Sequence, residues 1–191
     1  MSNSIITKKA LSTALKELMK RKSFDRITVE DITNQCGLNR QTFYYHFQDK
    51  YDLINWIYYN EAIAILSQDL TYDNWNDRIL ELLTVMKSES YFYQNTFKSS
   101  GENEFENYLL SFTRELFISI IKNIDENNAV SEEDVNFFSQ FFSFGSVGMI
   151  VSWAKTGMTA SPESIVYHLK NLAYYIRQFA LKLHSDEADQ N

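Results

Sequence analysis

Ile27-Thr28-Val29-Glu30-Asp31-Ile32-Thr33-Asn34-Gln35-Cys36-Gly37-Leu38-Asn39-Arg40-Gln41-Thr42-Phe43-Tyr44-Tyr45-His46-Phe47-Gln48-Asp49-Lys50-Tyr51-Asp52 is the stretch on which the reading of this 191-residue chain turns. Thr28, with Asp31 three residues on, has the pattern of a helix N-cap followed by an acidic residue in the first turn. Val29, Ile32 and Cys36 then share one helical face, and Gly37 can end that helix in a left-handed conformation. Asn39 can cap a second helix that turns Phe43 and Phe47 inward and leaves Arg40, Gln41, Thr42 and Tyr44 pointing out. Asp49 and Asp52 repeat the cap-plus-acid pattern and start a third helix, with Lys50 at its N-terminal edge.

Two helices joined by a short glycine turn make a helix-turn-helix, whose second helix can enter the DNA major groove. The outward residues suit that task. Arginine can bond guanine O6 and N7, glutamine can bond adenine N6 and N7, and Thr, Tyr and Lys can hold phosphates. Spacing alone also admits an ordinary helical hairpin with a solvated face, as the lesser alternative. The residues themselves go further: Thr28-Val29 to Lys50, with Gly37, Thr42, Phe43-Tyr44-Tyr45-His46-Phe47 and Asp49-Lys50, resemble the DNA-binding signature of the TetR family of bacterial regulators. The signature lies within the first 50 residues, about a quarter of the chain. It implies that Arg40, Gln41 and Tyr44 lie at base edges, that Thr42, Tyr44 and Lys50 hold phosphates, and that Thr28, Asn39 and Tyr45 complete the DNA-facing set. The sequence departs from the family pattern at Thr33, where a small alanine is usual, and at Gln41, where glycine, alanine or proline is common.

Composition supports a helical reading. Five glycines and one proline leave little to punctuate strands, and 45% hydrophobic residues suffice for a substantial core. The single cysteine, Cys36, excludes an internal disulfide framework and points to a reducing compartment. The net charge of −7 is unevenly spread: residues 1–50 carry nine basic and five acidic side chains, the rest nine and twenty. A basic head and an acidic body confine DNA contact to one end. The N-terminus lacks the apolar run of a signal peptide, so a cytoplasmic protein is expected. Val135–Ala154 is uncharged and long enough to span a bilayer, but its six Ser, Asn and Gln residues favour a buried interface helix over a membrane span.

The expected fold is therefore all-α. An N-terminal three-helix helix-turn-helix domain (residues 1–50) is followed by a C-terminal helical regulatory and dimerisation bundle (residues 51–191). A first helix over Ile5–Lys20 supports the motif, and an uninterrupted helix from Lys50 to about Leu70 is expected to be the sole link between head and body. Residues 71–76 end it, with Trp75 folding back as an anchor. Further helices are expected over Asp77–Lys87, Ser90–Lys98, a long segment through Phe105 and Ile120 ending near Asn127-Asn128, one capped by Ser131, and one begun by Ser161-Pro162. In the last, two apolar stripes call for two partners. One is its own core; the other is taken as a second protomer, with Gly148, Ser152, Leu169, Leu172, Ile176 and Phe179 at the interface.

Catalytic signatures are missing: no Gly-rich phosphate loop, nucleophile elbow or H-E-x-x-H is present, and His46, His168 and His184 have no metal-ligand spacing. No metal or cofactor is expected, and an enzyme is the remotest reading. Aromatics dominate the body. Most belong to a core, yet Tyr93, Phe97, Tyr108, Phe112, Phe141 and Trp153 could line a small-molecule effector pocket of the sort the family implies. Tyr91-Phe92-Tyr93, Phe97 to Asn103, Phe105, Gly148 to Trp153 and Thr156-Gly157-Met158 further resemble the subgroup associated with dihydroxyacetone-kinase operons. That resemblance implies an activator of double-stranded operator DNA, working as a homodimer with a coactivator protein related to the kinase's substrate-binding subunit. A ligand-released repressor is the alternative, and an interaction scaffold without DNA binding is the rival of another class.

Overall fold

The computed structural model of the protein describes residues 3–66, 74–99, 104–124 and 130–188, with the side chains of 3, 123–124 and 176–188 outside that description. Among the described residues the secondary structure is entirely helical. The head comprises α1 (Asn3–Met19), a 3-10 turn (Phe24–Arg26), α2 (Val29–Cys36) and α3 (Arg40–His46). A linker helix follows: α4 (Lys50–Tyr58), a π-turn (Tyr59–Ile63) and α5 (Ala64–Leu66). The body holds α6 (Trp75–Ser88), α7 (Ser90–Lys98), α8 (Glu104–Ile124), α9 (Glu132–Lys155) and α10 (Pro162–Ala188).

The termini form where the sequence placed its caps. Ser131 Oγ accepts from Asp134 N at 3.1 Å to start α9, and Ser161 Oγ accepts from Ser164 N at 3.1 Å beside α10. Two expectations change. The linker is broken in its α geometry by the π-turn, and its continuation to Leu70, like the helix end expected near Asn127-Asn128, lies outside the described residues. Trp75 opens α6 rather than folding back, and packs half-buried beside Leu116, Phe117 and Ile120.

One apolar cluster runs without a break from Leu11, Leu15 and Phe43 in the head, through Leu53 and Ile57, to Leu83, Phe92, Phe105 and Trp153 in the body. In the body α8 and α9 make the most extensive contact, and the buried side of α9 carries Ser139, Ser143 and Ser146 among its aliphatic residues. These small side chains let the two helices approach closely, while Ser139 and Ser143 return their hydroxyl protons to the carbonyls of Asn136 and Gln140. The helix is long and apolar enough to cross a membrane, but its serine side is buried against the protein.

Candidate nucleic-acid interface

The interface is built on three helix starts. Thr28 Oγ1 accepts from Asp31 N at 3.1 Å while the Asp31 carboxylate accepts from Thr28 N at 2.8 Å, a reciprocal cap at the head of α2. Lys22 donates to the same carboxylate at 2.7 Å. The Lys22 bond, then the two Thr28 bonds, hold the Asp31 pKa down to about 2. Gly37 ends α2 at φ 70°, a left-handed position that costs glycine least. Asn39 Oδ1 then accepts from Thr42 N at 2.7 Å and Thr42 Oγ1 at 2.9 Å, which starts α3, and Asp49 Oδ1 accepts from Tyr51 N and Asp52 N to start α4.

Phe43 and Phe47 anchor α3 in the core, their rings 5.8 Å apart. Arg40, Gln41, Tyr44 and Tyr45 are thereby left on the open side of α3, Tyr45 being 83% exposed. Tyr44, one turn beyond Arg40, pushes the guanidinium pKa up through its hydroxyl, and Arg40 stands exposed beside it as a cation. Thr42 is half-buried, and Thr28, Asn39 and Thr42 spend polar atoms on caps. Thr33, where the family resemblance leads one to expect alanine, is buried and gives its hydroxyl proton to Glu30 O at 3.2 Å, so the close crossing of α2 is kept.

Lys50 stands apart from the phosphate-facing role expected of it. Its ammonium donates to the carbonyls of Phe24 (2.9 Å), Asp25 (3.1 Å) and Ile27 (2.9 Å), and lies 4.5 Å from the centre of the Phe24 ring. Burial lowers its pKa, and the neighbouring Asp25 charge opposes the shift.

Comparison with known proteins supplies the family. A model described as bacterial regulatory proteins, tetR family, matches residues 11–57, and one described as transcriptional regulator C-terminal region matches residues 73–175, more than half of the chain. The chain belongs to the TetR family. It is 34% identical over 110 residues to the HTH-type dhaKLM operon transcriptional activator DhaS of Lactococcus lactis, a match spanning 58% of each protein. A solved structure of the dihydroxyacetone kinase operon activator DhaS superposes with a TM-score of 0.73 at 25% identity, covering 92% of this chain and 98% of that one. NalD, the secondary repressor of the MexAB-OprM multidrug efflux pump in Pseudomonas aeruginosa, shares the fold alone, at a TM-score of 0.65 and 16% identity over 91% of this chain and 97% of that one.

The TetR-family body does not assemble the six residues expected around an effector. Tyr93 and Phe97 are buried with Tyr58 and Phe105 in a closed aromatic cluster, where Tyr58 stacks on Phe105 at 4.5 Å. Tyr108 and Phe112 stack on each other half-buried, Phe141 is 64% exposed on another face, and Trp153 donates to Ala160 O at 3.1 Å. Tyr58, Tyr93, Phe97 and Phe105 pack on one another, while Tyr58, Phe105 and Tyr108 also border a recess of about 400 Å³ beside Asn55, Tyr59 and Ile63. A cavity does exist between α6, α8, α9 and α10, lined by Ile79, Thr113, Leu116, Ser146, Ile150 and Leu169. Its volume of about 30 Å³ has room for a water, whereas effector pockets run to ~300 Å³ and more.

The expected dimer face is likewise redrawn. Leu169 is buried in the protomer core, because α10 packs on α6 and α8 through Ile165, Leu169 and Ala173. Gly148 and Ser152 are exposed, with open space around Gly148, and they lie on α9 beside exposed Phe137, Phe141, Phe144 and Met149. On α10 Leu172 is exposed with Tyr167, Tyr174 and Tyr175, while the side chains of Ile176 and Phe179 lie outside the described residues.

Sequence reasoning missed the polar joint between head and body. From α7, Asn95 Nδ2 donates to Met19 O and Asn95 Oδ1 accepts from Phe24 N, each at 3.0 Å, while Ser99 Oγ donates to Asp25 Oδ1 at 2.9 Å. Lys16 of α1 pairs with Glu61 in the π-turn and lies 3.7 Å from Glu89. The linker is therefore not the sole connection. Single polar residues at non-periodic spacing gave no signal of these pairings.

Proposed function

We propose that this TetR-family regulator binds operator DNA as a homodimer through two copies of α3, and that it activates a dihydroxyacetone-kinase operon together with a coactivator protein. The observation that carries the DNA reading is the row Arg40, Gln41, Tyr44 and Tyr45, held on the open side of a helix whose inner side is locked by Phe43 and Phe47. Arg40, Gln41 and Tyr44 are assigned to base edges; Tyr45, Thr42 and the starts of α2 and α3 at Thr28 and Asn39 are assigned to the phosphate backbone. The dimer face is the apolar side of α9 around Phe141, Gly148, Met149 and Ser152, with Leu172, Ile176 and Phe179 of α10. The protein works in the cytoplasm, with no metal or cofactor.

The operon assignment follows from the likeness to DhaS, and the choice of activator with a partner over ligand-released repressor from the packed aromatic body. The small cavity between α6, α8, α9 and α10 and the mutual packing of Tyr93, Phe97 and Phe105 support a signal that enters through a protein surface. The domain boundary is drawn at residue 50, where Asp49 caps the linker.

Duplexes enriched from a randomised pool test the reading. Two protomers should bind each selected duplex in sedimentation, and Arg40→Ala should weaken binding by about 1–3 kcal/mol per half-site while relaxing preference at one base pair. Equal loss on selected and scrambled DNA would move Arg40 to a phosphate role. Release of the duplex by dihydroxyacetone alone would favour the repressor; no enrichment would leave the scaffold.

A further inference from the structure

We propose that Lys50 acts in operator binding as a positioning residue, fastening the Phe24–Ile27 turn to the start of α4, and makes no phosphate contact. The inference rests on the DNA-binding reading above. An ammonium has three N–H donors and no acceptor. All three are spent on carbonyls of one turn, Phe24, Asp25 and Ile27, at 2.9–3.1 Å. The Phe24 ring lies beneath the charge at 4.5 Å and the Tyr51 ring at 5.7 Å, so the ammonium is seated rather than extended. Turning to a phosphate would break three bonds at once, leaving the Phe24 carbonyl with its Ile27 N–H and taking the ammonium from the carbonyls of Asp25 and Ile27.

What the turn does explains why it is fastened. Thr28, the next residue, is the N-cap of α2, so the turn fixes where α2 begins and how α3 is presented. The body grips the same few residues from the other side: Asn95 accepts from Phe24 N, and Ser99 donates to the Asp25 carboxylate. Three side chains, from α4, from α7 and from just beyond α7, thus satisfy five polar groups of a four-residue turn. Lys50 and Asn95 form one joint, through which the body sets the stance of the reading helix.

The experiment uses the full-length dimer with a duplex enriched by the wild type and a scrambled duplex, titrated from 50 to 200 mM salt, alongside amide hydrogen exchange of the free protein. Lys50→Met, which keeps the stem over Phe24, should lose tenfold or more on the enriched duplex and much less on the scrambled one. The slope of log affinity against log salt should not change, and amides of residues 24–32 should exchange faster. Asn95→Ala should show the same pattern from a site remote from DNA. Lys50→Arg, whose planar fork cannot place three donors at one point, should not rescue it.

A phosphate contact would instead lower the slope by roughly two per dimer, weaken both duplexes alike and be retained by arginine, and that result overturns the proposal. Equal loss on both duplexes at unchanged slope overturns it too, since Lys50 would then only stabilise the fold. If Lys50→Met does not fold, Lys50→Arg and Asn95→Ala decide by the same readouts. A wild-type dimer that enriches no duplex, with the turn amides still protected, sinks the DNA-binding reading and the proposal with it.

Discussion

In the head, each helix start is closed by a side chain with a defined partner: Thr28 with Asp31, Asn39 with Thr42, Asp49 with Asp52. In the body, Tyr58, Tyr93, Phe97 and Phe105 close around one another through their faces and edges, and the buried hydroxyls of Tyr58 and Tyr93 have no hydrogen-bond partner among the described residues. Burial pushes both phenol pKa values up, against a small opposing pull on Tyr58 from Thr96, whose own hydroxyl donates to the carbonyls of Phe92 and Tyr93. Directional bonds fix where each helix of the reading head begins. Ring packing gives the body bulk stability with little directional information.

If that contrast holds, the largest effect should come from the body. Phe105→Ala removes a fully buried ring shared by three aromatic neighbours and should cost about 3–5 kcal/mol in denaturant unfolding, with operator specificity unchanged in the fraction that remains folded. A loss under about 1 kcal/mol would mean the cluster is loosely packed and the contrast too sharply drawn.

Caps should matter less to stability and more to binding. Thr28→Ala should cost about 1 kcal/mol at neutral pH. Its partner Asp31 has a folded pKa near 2, below the unfolded value near 4, so its contribution is complete above about pH 5 and is lost as pH falls from there to about 2. Stability of wild type and Asp31→Asn, measured by urea titration, should converge over that window; a constant difference would show that the carboxylate's charge is not what matters.

The smallest effect distinguishes the two regions most directly. Tyr93→Phe deletes a hydroxyl that makes no bond among the described residues and should be neutral or stabilising by up to about 1 kcal/mol. A clear destabilisation would reveal a water or partner on that oxygen and make the body more polar in design than its rings imply.

The same contrast explains what could be read in advance. Caps use a small set of residue types at fixed offsets, so Thr28, Asn39, Asp49 and Ser131 were legible from the chain, and with them the helices they begin. Periodicity placed Phe43 and Phe47 inside. It could not distinguish the two apolar sides of α10, and Leu169 went to the wrong one because partner and core demand the same chemistry. Aromatics carry no sign of whether they line a space or fill it, so Tyr93 and Phe97 looked like a pocket wall. Lys50 shows the limit for charges: its place beside a recognition helix carries no sign of the Phe24, Asp25 and Ile27 carbonyls that its ammonium meets. Asn95 had no local pattern at all, its partners being more than seventy residues away.

The π-turn in the linker bears on how such a joint tolerates mismatch. Ile54, Tyr58, Ala62 and Leu66 are all buried at steps of four residues. In an α-helix of 3.6 residues per turn, each such step overshoots by about 40°, so the stripe would wind away from its neighbours within three steps. The wider turn at Tyr59–Ile63, bonded five residues apart, takes up that overshoot. It also presents Glu61 to Lys16. The linker thus behaves as a vernier between two scales, letting head and body each keep its own packing register along a single rod.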